Sequence, residues 1–225
     1  MSWCQEGRLR AGRHVEIVIF DLDGTLADTR ADITAAVNYA LQRLEFPPLS
    51  MEQVCQFVGD GVPTLLSRAL GPHHLDTLEA GVTFFREYYT DHLLDQTRLY
   101  PGVRETLEHF REKRKAIVTN KPLEFTIRII EGLEIERHFE VVLGGDSTVE
   151  RKPHPEPAWK VLSATGVEPR QAAMVGDSPA DIEMAKQAGI FSVGVTYGLR
   201  PVADLQAAGP DLLLDDLRKL QQYLV

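Results

Sequence analysis

The sequence predicts an α/β fold: a parallel sheet with helices on both faces and an all-α block threaded in after the first strand. Three observations predict it. Residues 15–20 (VEIVIF) are a short apolar, β-branched run that ends abruptly in DLDGT. Residues 29–98 show helical periodicity alone. After Tyr100-Pro101-Gly102, short apolar runs alternate with amphipathic stretches, the signature of βαβ units.

The VEIVIF run has no polar alternation, so it reads as a strand covered on both faces. Thr29 and Asp32 have capping-box spacing, and Ile33, Val37, Ala40, Leu41 and Leu44 follow on one stripe. A helix is therefore expected over residues 29–44, ahead of Pro47-Pro48. A short helix is expected over residues 51–58, broken by Gly59-Asp60-Gly61. The next carries Val62, Leu65, Leu66, Ala69 and Leu70 on one stripe, and a longer one carries Leu75, Leu78, Val82, Phe85 and Tyr89. Beyond residue 100 the expected helices cover residues 103–111, 123–131, 156–164 and 180–188. The strands between and after them cover residues 116–119, 141–143, 172–175 and 192–195, and residues 212–214 and 217–224 close the chain.

At 225 residues the chain is longer than one ordinary domain and shorter than two. The expected units are nested: a tail of residues 1–14, an α/β core of residues 15–28 and 99–225, and a helical block of residues 29–98. Acidic residues number 33 against 24 Lys and Arg, a net charge of −9. That balance argues against a nucleic-acid partner or an anionic membrane surface, both of which call for clustered cations. No apolar run reaches the roughly 18 residues of a membrane span. The first fourteen residues lack the apolar centre of a signal peptide. Cys4 and Cys55 make neither a disulfide framework nor a metal set, so a reducing cytoplasm is the expected compartment. The oligomeric state stays open between monomer and homodimer.

In open α/β sheets, ligands bind beyond the carboxyl ends of the strands. The first strand ends in Asp21-Leu22-Asp23-Gly24-Thr25, and the strand at Ala116 ends in Thr119-Asn120-Lys121. The strand at Ala172 ends in Gly176-Asp177, with Asp181 at the start of the following helix. Lys152 lies in the rigid loop Arg151-Lys152-Pro153-His154-Pro155. Converging carboxylates without His or Cys favour a hard, oxygen-seeking cation, and Mg2+ suits best. A carboxylate is ionised at neutral pH and can act as a nucleophile without a base, provided nearby cations relieve its repulsion from an anionic substrate. A second Asp two residues along a sharp turn can protonate a leaving oxygen and later deprotonate water.

DLDGT after an apolar strand, IVTN, the RKPHPEP lysine and GDSPADI, in that order, resemble the four motifs of the haloacid dehalogenase-like hydrolase superfamily. The resemblance spans nearly the whole chain after the tail. It implies a Rossmann-like core with a helical cap inserted after the first motif. It also implies Asp21 as the nucleophile that forms an aspartyl-phosphate, and Asp23 as general acid/base, lending its backbone carbonyl to Mg2+. Thr119 and the amide of Asn120 would hold phosphate oxygens. Lys152 would bridge nucleophile and phosphoryl group, Asp177 would bind the metal, and Asp181 would support the metal shell or reach it through water. An Asp at position 23 points to phosphate chemistry, since the true dehalogenases of the superfamily do without it.

FVGDGVPTLLSRAL, GGDSTVERKPHPEP and SVGVTYG resemble the phosphoglycolate phosphatase branch. That resemblance implies a small phosphorylated metabolite, 2-phosphoglycolate, as substrate. Its carboxylate would be met by backbone amides of Gly59 and Gly61 or by Arg68; the blander reading makes the glycines helix ends and Arg68 a solvated side chain. A β-phosphoglucomutase-like mutase or an inorganic pyrophosphatase fits the same core, and a non-catalytic binding protein is the remote alternative. His73-His74 reads as a surface turn. Phe84, Phe85, Tyr88, Tyr89 and Trp159 read as packing, and Gly144-Gly145 lacks the context of a nucleotide P-loop.

Overall fold

A computed structural model describes residues 12–225. Its main sheet has six parallel strands in the order Val141–Leu143, Arg114–Val118, Ile17–Phe20, Ala172–Gly176, Phe191–Val195 and Leu212–Leu214. The chain runs β1 (Ile17–Phe20), β2 (Ala27–Asp28), α1 (Arg30–Arg43), α2 (Met51–Phe57), α3 (Val62–Leu70), α4 (Leu78–His92) and β3 (Arg98–Leu99). It continues as α5 (Val103–His109), β4 (Arg114–Val118), α6 (Leu123–Gly132), β5 (Val141–Leu143), α7 (Glu156–Thr165) and β6 (Ala172–Gly176). Last come α8 (Pro179–Ala188), β7 (Phe191–Val195), α9 (Val202–Ala208), β8 (Leu212–Leu214) and a 3-10 turn, Leu217–Gln222.

β1 is central and fully buried, which is why its sequence is uniformly apolar. Its side chains alternate between two cores. Val18 and Phe20 pack with Val103, Leu107, Phe125 and Ile129 of α5 and α6, and Ile17 and Ile19 pack with Val161, Met184 and Ala185 of α7 and α8. The chain winds outward from β1 through β4 to β5, then crosses back to β6 on the other side of β1. That reversal opens a crevice at the carboxyl ends of β1, β4 and β6.

The four helices α1–α4 leave and rejoin the core through β2 and β3, which pair antiparallel. Two-residue strands carry no readable periodicity, and neither was anticipated. α9 was also missed: it has a single buried residue, Leu205, and hence no apolar stripe. The capping box expected at Thr29 does not form. Thr29 has φ −105° and ψ 5°, not the extended conformation of such a cap, and its side chain makes no cap bond. Asp32 instead accepts hydrogen bonds from Gln96 N (3.0 Å), Thr97 N (2.8 Å) and Thr97 Oγ1 (2.8 Å), tying α1 to the segment after α4. A capping box does form one helix later, at Ser50 and Gln53. Of the expected tail, Arg13 is held to the chain terminus by bonds with Tyr223 (2.6 Å) and Val225 (2.9 Å). Cys4 lies outside the described residues, and Cys55 is a buried free thiol. No helix among the described residues is long and apolar enough to cross a membrane.

Candidate active site

The strand ends bring together residues from four parts of the chain. Asp21 follows β1, Asp177 follows β6 and Asp181 opens α8, and each offers an oxygen within 4.8 Å of the others. Lys152 reaches this cluster from the loop before α7. Its Nζ lies 2.8 Å from Asp21 Oδ1 and 2.6 Å from Asp181 Oδ1. Asp181 is fully buried, and its second oxygen accepts from Ser178 N (3.1 Å) and Ser178 Oγ (2.6 Å). The one ammonium thus holds both buried carboxylates at once.

Glycines create the room for Asp177. Gly24 has φ +87°, where a side chain is strained, and a Cβ there would strike the Asp177 carboxylate; one at Gly198 would strike it from another side. Leu199 N donates to Asp177 Oδ2 at 2.6 Å. Burial pushes the Asp177 carboxyl up to about 8, with the Asp21 and Asp181 charges adding to the effect. Burial likewise raises Asp21 to about 6, against the pull of Lys152. Burial works against the Lys152 charge, but the Asp181 and Asp21 carboxylates outweigh it and hold the ammonium above its ordinary range.

The cluster fits a divalent cation. Its donors are all oxygens, and two of its carboxyls are driven toward their protonated forms by burial and by each other. A hard cation relieves each of these costs, whereas zinc would want nitrogen or sulfur.

Asp23 sits beside the cluster and is held by a residue that sequence reasoning missed. Lys121 Nζ lies 3.1 and 3.2 Å from the two Asp23 oxygens and donates to Tyr89 Oη at 2.8 Å. Tyr89 comes from α4 and is packed, as expected, against Phe85 and Phe125 with centroids 5.1 Å away. Its hydroxyl has a partner besides, and burial pushes it up to about 12. The readable signal was a lysine directly after the strand-ending Thr119-Asn120.

Thr119 is buried at the end of β4. The Asn120 side chain is spent on backbone: Nδ2 donates to Gly59 O (2.8 Å) and Lys152 O (3.0 Å), and Oδ1 accepts from Lys152 N (3.1 Å). One amide thus fixes both the Lys152 loop and the turn between α2 and α3. Gly59 and Gly61 have φ of +120° and +85° and do line the crevice. The structure does not bring Arg68 there. It pairs with Asp60 at 2.6 Å and donates to Phe57 O at 3.1 Å, because the turn folds back over its own helix. Arg200, from the loop after β7, lines the crevice instead. Together α1, α3, α4 and the turn after α2 line a cavity of about 50 Å³ that also touches Asp21, Asp23, Lys152 and Asp177.

Comparison with known proteins agrees with this geometry. The family model for haloacid dehalogenase-like hydrolases matches residues 18–195. The chain belongs to the haloacid dehalogenase-like hydrolase family, and within it the chain is a phosphoric monoester hydrolase. It is 39% identical to the phosphoglycolate phosphatase of Pseudomonas putida over 95% of this chain and 81% of that one. It is 36% identical to the phosphoglycolate phosphatase of Chromobacterium violaceum over 94% of this chain and 97% of that one. A crystal structure of a predicted phosphoglycolate phosphatase from Haemophilus somnus superposes with a TM-score of 0.87 at 34% identity, covering 92% of this chain and 96% of that one.

Proposed function

We propose that this phosphatase is Mg2+-dependent and hydrolyses 2-phosphoglycolate through an aspartyl-phosphate on Asp21. The observation that carries the reading is the Asp21–Lys152–Asp181–Asp177 cluster at a cavity of about 50 Å³ that the inserted helices line. One water needs roughly 10–15 Å³ on this scale, so the site suits a small ester. Two relatives at 36–39% identity carry the same substrate in their names.

Asp21 attacks phosphorus, its carboxylate oxygen forming the new P–O bond while the bond to the glycolate oxygen breaks. Asp23 gives its proton to that leaving oxygen. It then takes a proton from water, whose oxygen attacks the aspartyl-phosphate; the Asp21–phosphorus link breaks and inorganic phosphate leaves. Lys152 offsets the charge of Asp21 and of the phosphoryl oxygens, while Asp181 and Asn120 fix its position. Thr119 and the Asn120 amide hold phosphoryl oxygens. Asp21, Asp177 and the Asp23 carbonyl would hold Mg2+, with Asp181 supporting them, and the ion when bound neutralises charge on the transferring group. The inserted block, residues 29–98, acts as a cap that excludes bulk water during transfer. The setting that goes with this chemistry is cytoplasmic, and the partner is a small soluble metabolite.

The test is inorganic phosphate release with Mg2+ across 2-phosphoglycolate, a hexose phosphate and pyrophosphate. The expected result ranks 2-phosphoglycolate first. A hexose phosphate or pyrophosphate ranked first, with 2-phosphoglycolate among the poorest, overturns the assignment.

A further inference from the structure

Apart from the phosphoryl site, the crevice contains, among the described residues, one cation whose nearby carboxylate is already shared. Lys152 faces Asp21 and Asp181, and Lys121 faces Asp23. Among the described residues Arg200 has only the Asp60 carboxylate within ion-pair distance, at 3.7 Å, and the same Asp60 oxygen is already engaged by Arg68 at 2.6 Å. Two guanidinium groups thus share one carboxylate, and the closer one holds it.

Arg200 is also anchored. Its Nη1 donates to Gln56 O at 2.7 Å, which aims the guanidinium across the turn between α2 and α3. Its Nε is buried and has no acceptor. A Cβ at Gly59 would lie 3.3 Å from Nη2, so the glycine lets this group sit flush with the crevice wall. A buried N–H without an acceptor is costly, and a planar fork of donors matches the paired oxygens of a carboxylate or a phosphate; with the phosphoryl group at Lys152, the carboxylate is the end left for it. Arg200 and Lys152 line the same crevice, so one cation is available for each anionic end of a small phosphorylated acid.

We propose that Arg200 is the specificity residue of this phosphatase, reading the carboxylate of a substrate whose phosphoryl group lies at Asp21 and Lys152. The inference rests on the 2-phosphoglycolate reading. It replaces Arg68, on the helical block, with an arginine of the α/β core as the carboxylate receptor. Discrimination then depends on closure, because the Gln56 carbonyl that aims Arg200 belongs to α2 in the inserted block.

The experiment compares kcat/KM for 2-phosphoglycolate with that for 2-hydroxyethyl phosphate, which has the same length and no carboxylate. Wild type, Arg200→Gln and Arg200→Lys are measured with Mg2+. Wild type is expected to prefer 2-phosphoglycolate. Arg200→Gln is expected to reduce that preference ratio about 100-fold, the scale of a lost charge-assisted contact, and Arg200→Lys to recover part of it. If Arg200→Gln keeps the wild-type ratio, or loses activity on both esters equally, Arg200 is only a latch between core and helices and the inference fails, leaving the substrate reading intact. If wild type itself shows no preference, the substrate reading fails and takes the inference with it.

Discussion

Replacing Lys152 by Met tests whether the ammonium holds the carboxylate cluster together. In the native site its Nζ lies 2.8 Å from Asp21 and 2.6 Å from Asp181, and all three side chains are buried. At an effective dielectric near 20, each contact is worth about 6 kcal/mol of gross attraction. Desolvation of the ions, several kcal/mol apiece, offsets most of that. The variant leaves the carboxylates buried without their cation, and unpairing a buried charge costs about 3–5 kcal/mol. For a chain of this size that is a fall of about 6–20 °C in Tm. The loss should depend on pH. Asp21 and Asp177 already ionise late, near 6 and 8, and without Lys152 they escape the penalty at low pH by taking up protons. Thermal unfolding in EDTA at pH 5 and pH 8 is the assay. The gap between wild type and Lys152→Met should be small at pH 5 and at its widest at pH 8, where phosphate release with Mg2+ should also drop by two to three orders of magnitude. Equal Tm values at pH 8, or a gap that narrows from pH 5 to pH 8, refute the reasoning.

The same carboxyls make the metal-free protein sensitive to pH. Because burial raises Asp21 and Asp177 above their unfolded range near 4, the stability they allow is fully present below about pH 4 and is lost as pH rises through 6 and 8. Added Mg2+ should therefore raise Tm more at pH 8 than at pH 5.5 in a melting titration; an equal increment at both counts against the crowded-carboxylate account. Tyr89→Phe removes an acceptor from the buried Lys121 ammonium. It should cost about 1.5–3 kcal/mol by denaturant midpoint and lower kcat more than it raises KM; an unchanged midpoint would show that the hydroxyl bond contributes nothing.

Much of the site was legible because strand ends carry it. An apolar run that stops at a polar residue locates both a strand and its ligand-facing edge, and Asp21, Thr119 and Asp177 all stand at such stops. Lys121 and Arg200 did not. A basic residue in a loop has no periodicity, and only the fold reveals that one meets Asp23 and the other lines the crevice. Arg68 misled for a related reason: its position off the apolar stripe was read correctly, but its partner, Asp60, lies in the preceding turn. Thr29 and Asp32 had the local spacing of a cap, yet donors at Gln96 and Thr97, distant in sequence, captured the carboxylate. Local patterns define what a side chain can do, and tertiary neighbours decide which option it takes.

The central place of β1 has a consequence for the order in which this enzyme comes into being. Ile17 pairs with Arg114 on one side and with Ala172 on the other, so the first strand waits for partners made much later. Pairings this distant in sequence close slowly. Asp21 leaves the ribosome early, but Lys152, Asp177 and Asp181 follow only much later. Until then the nucleophile has no assembled metal site, and a partly made chain cannot act on the phosphate esters around it.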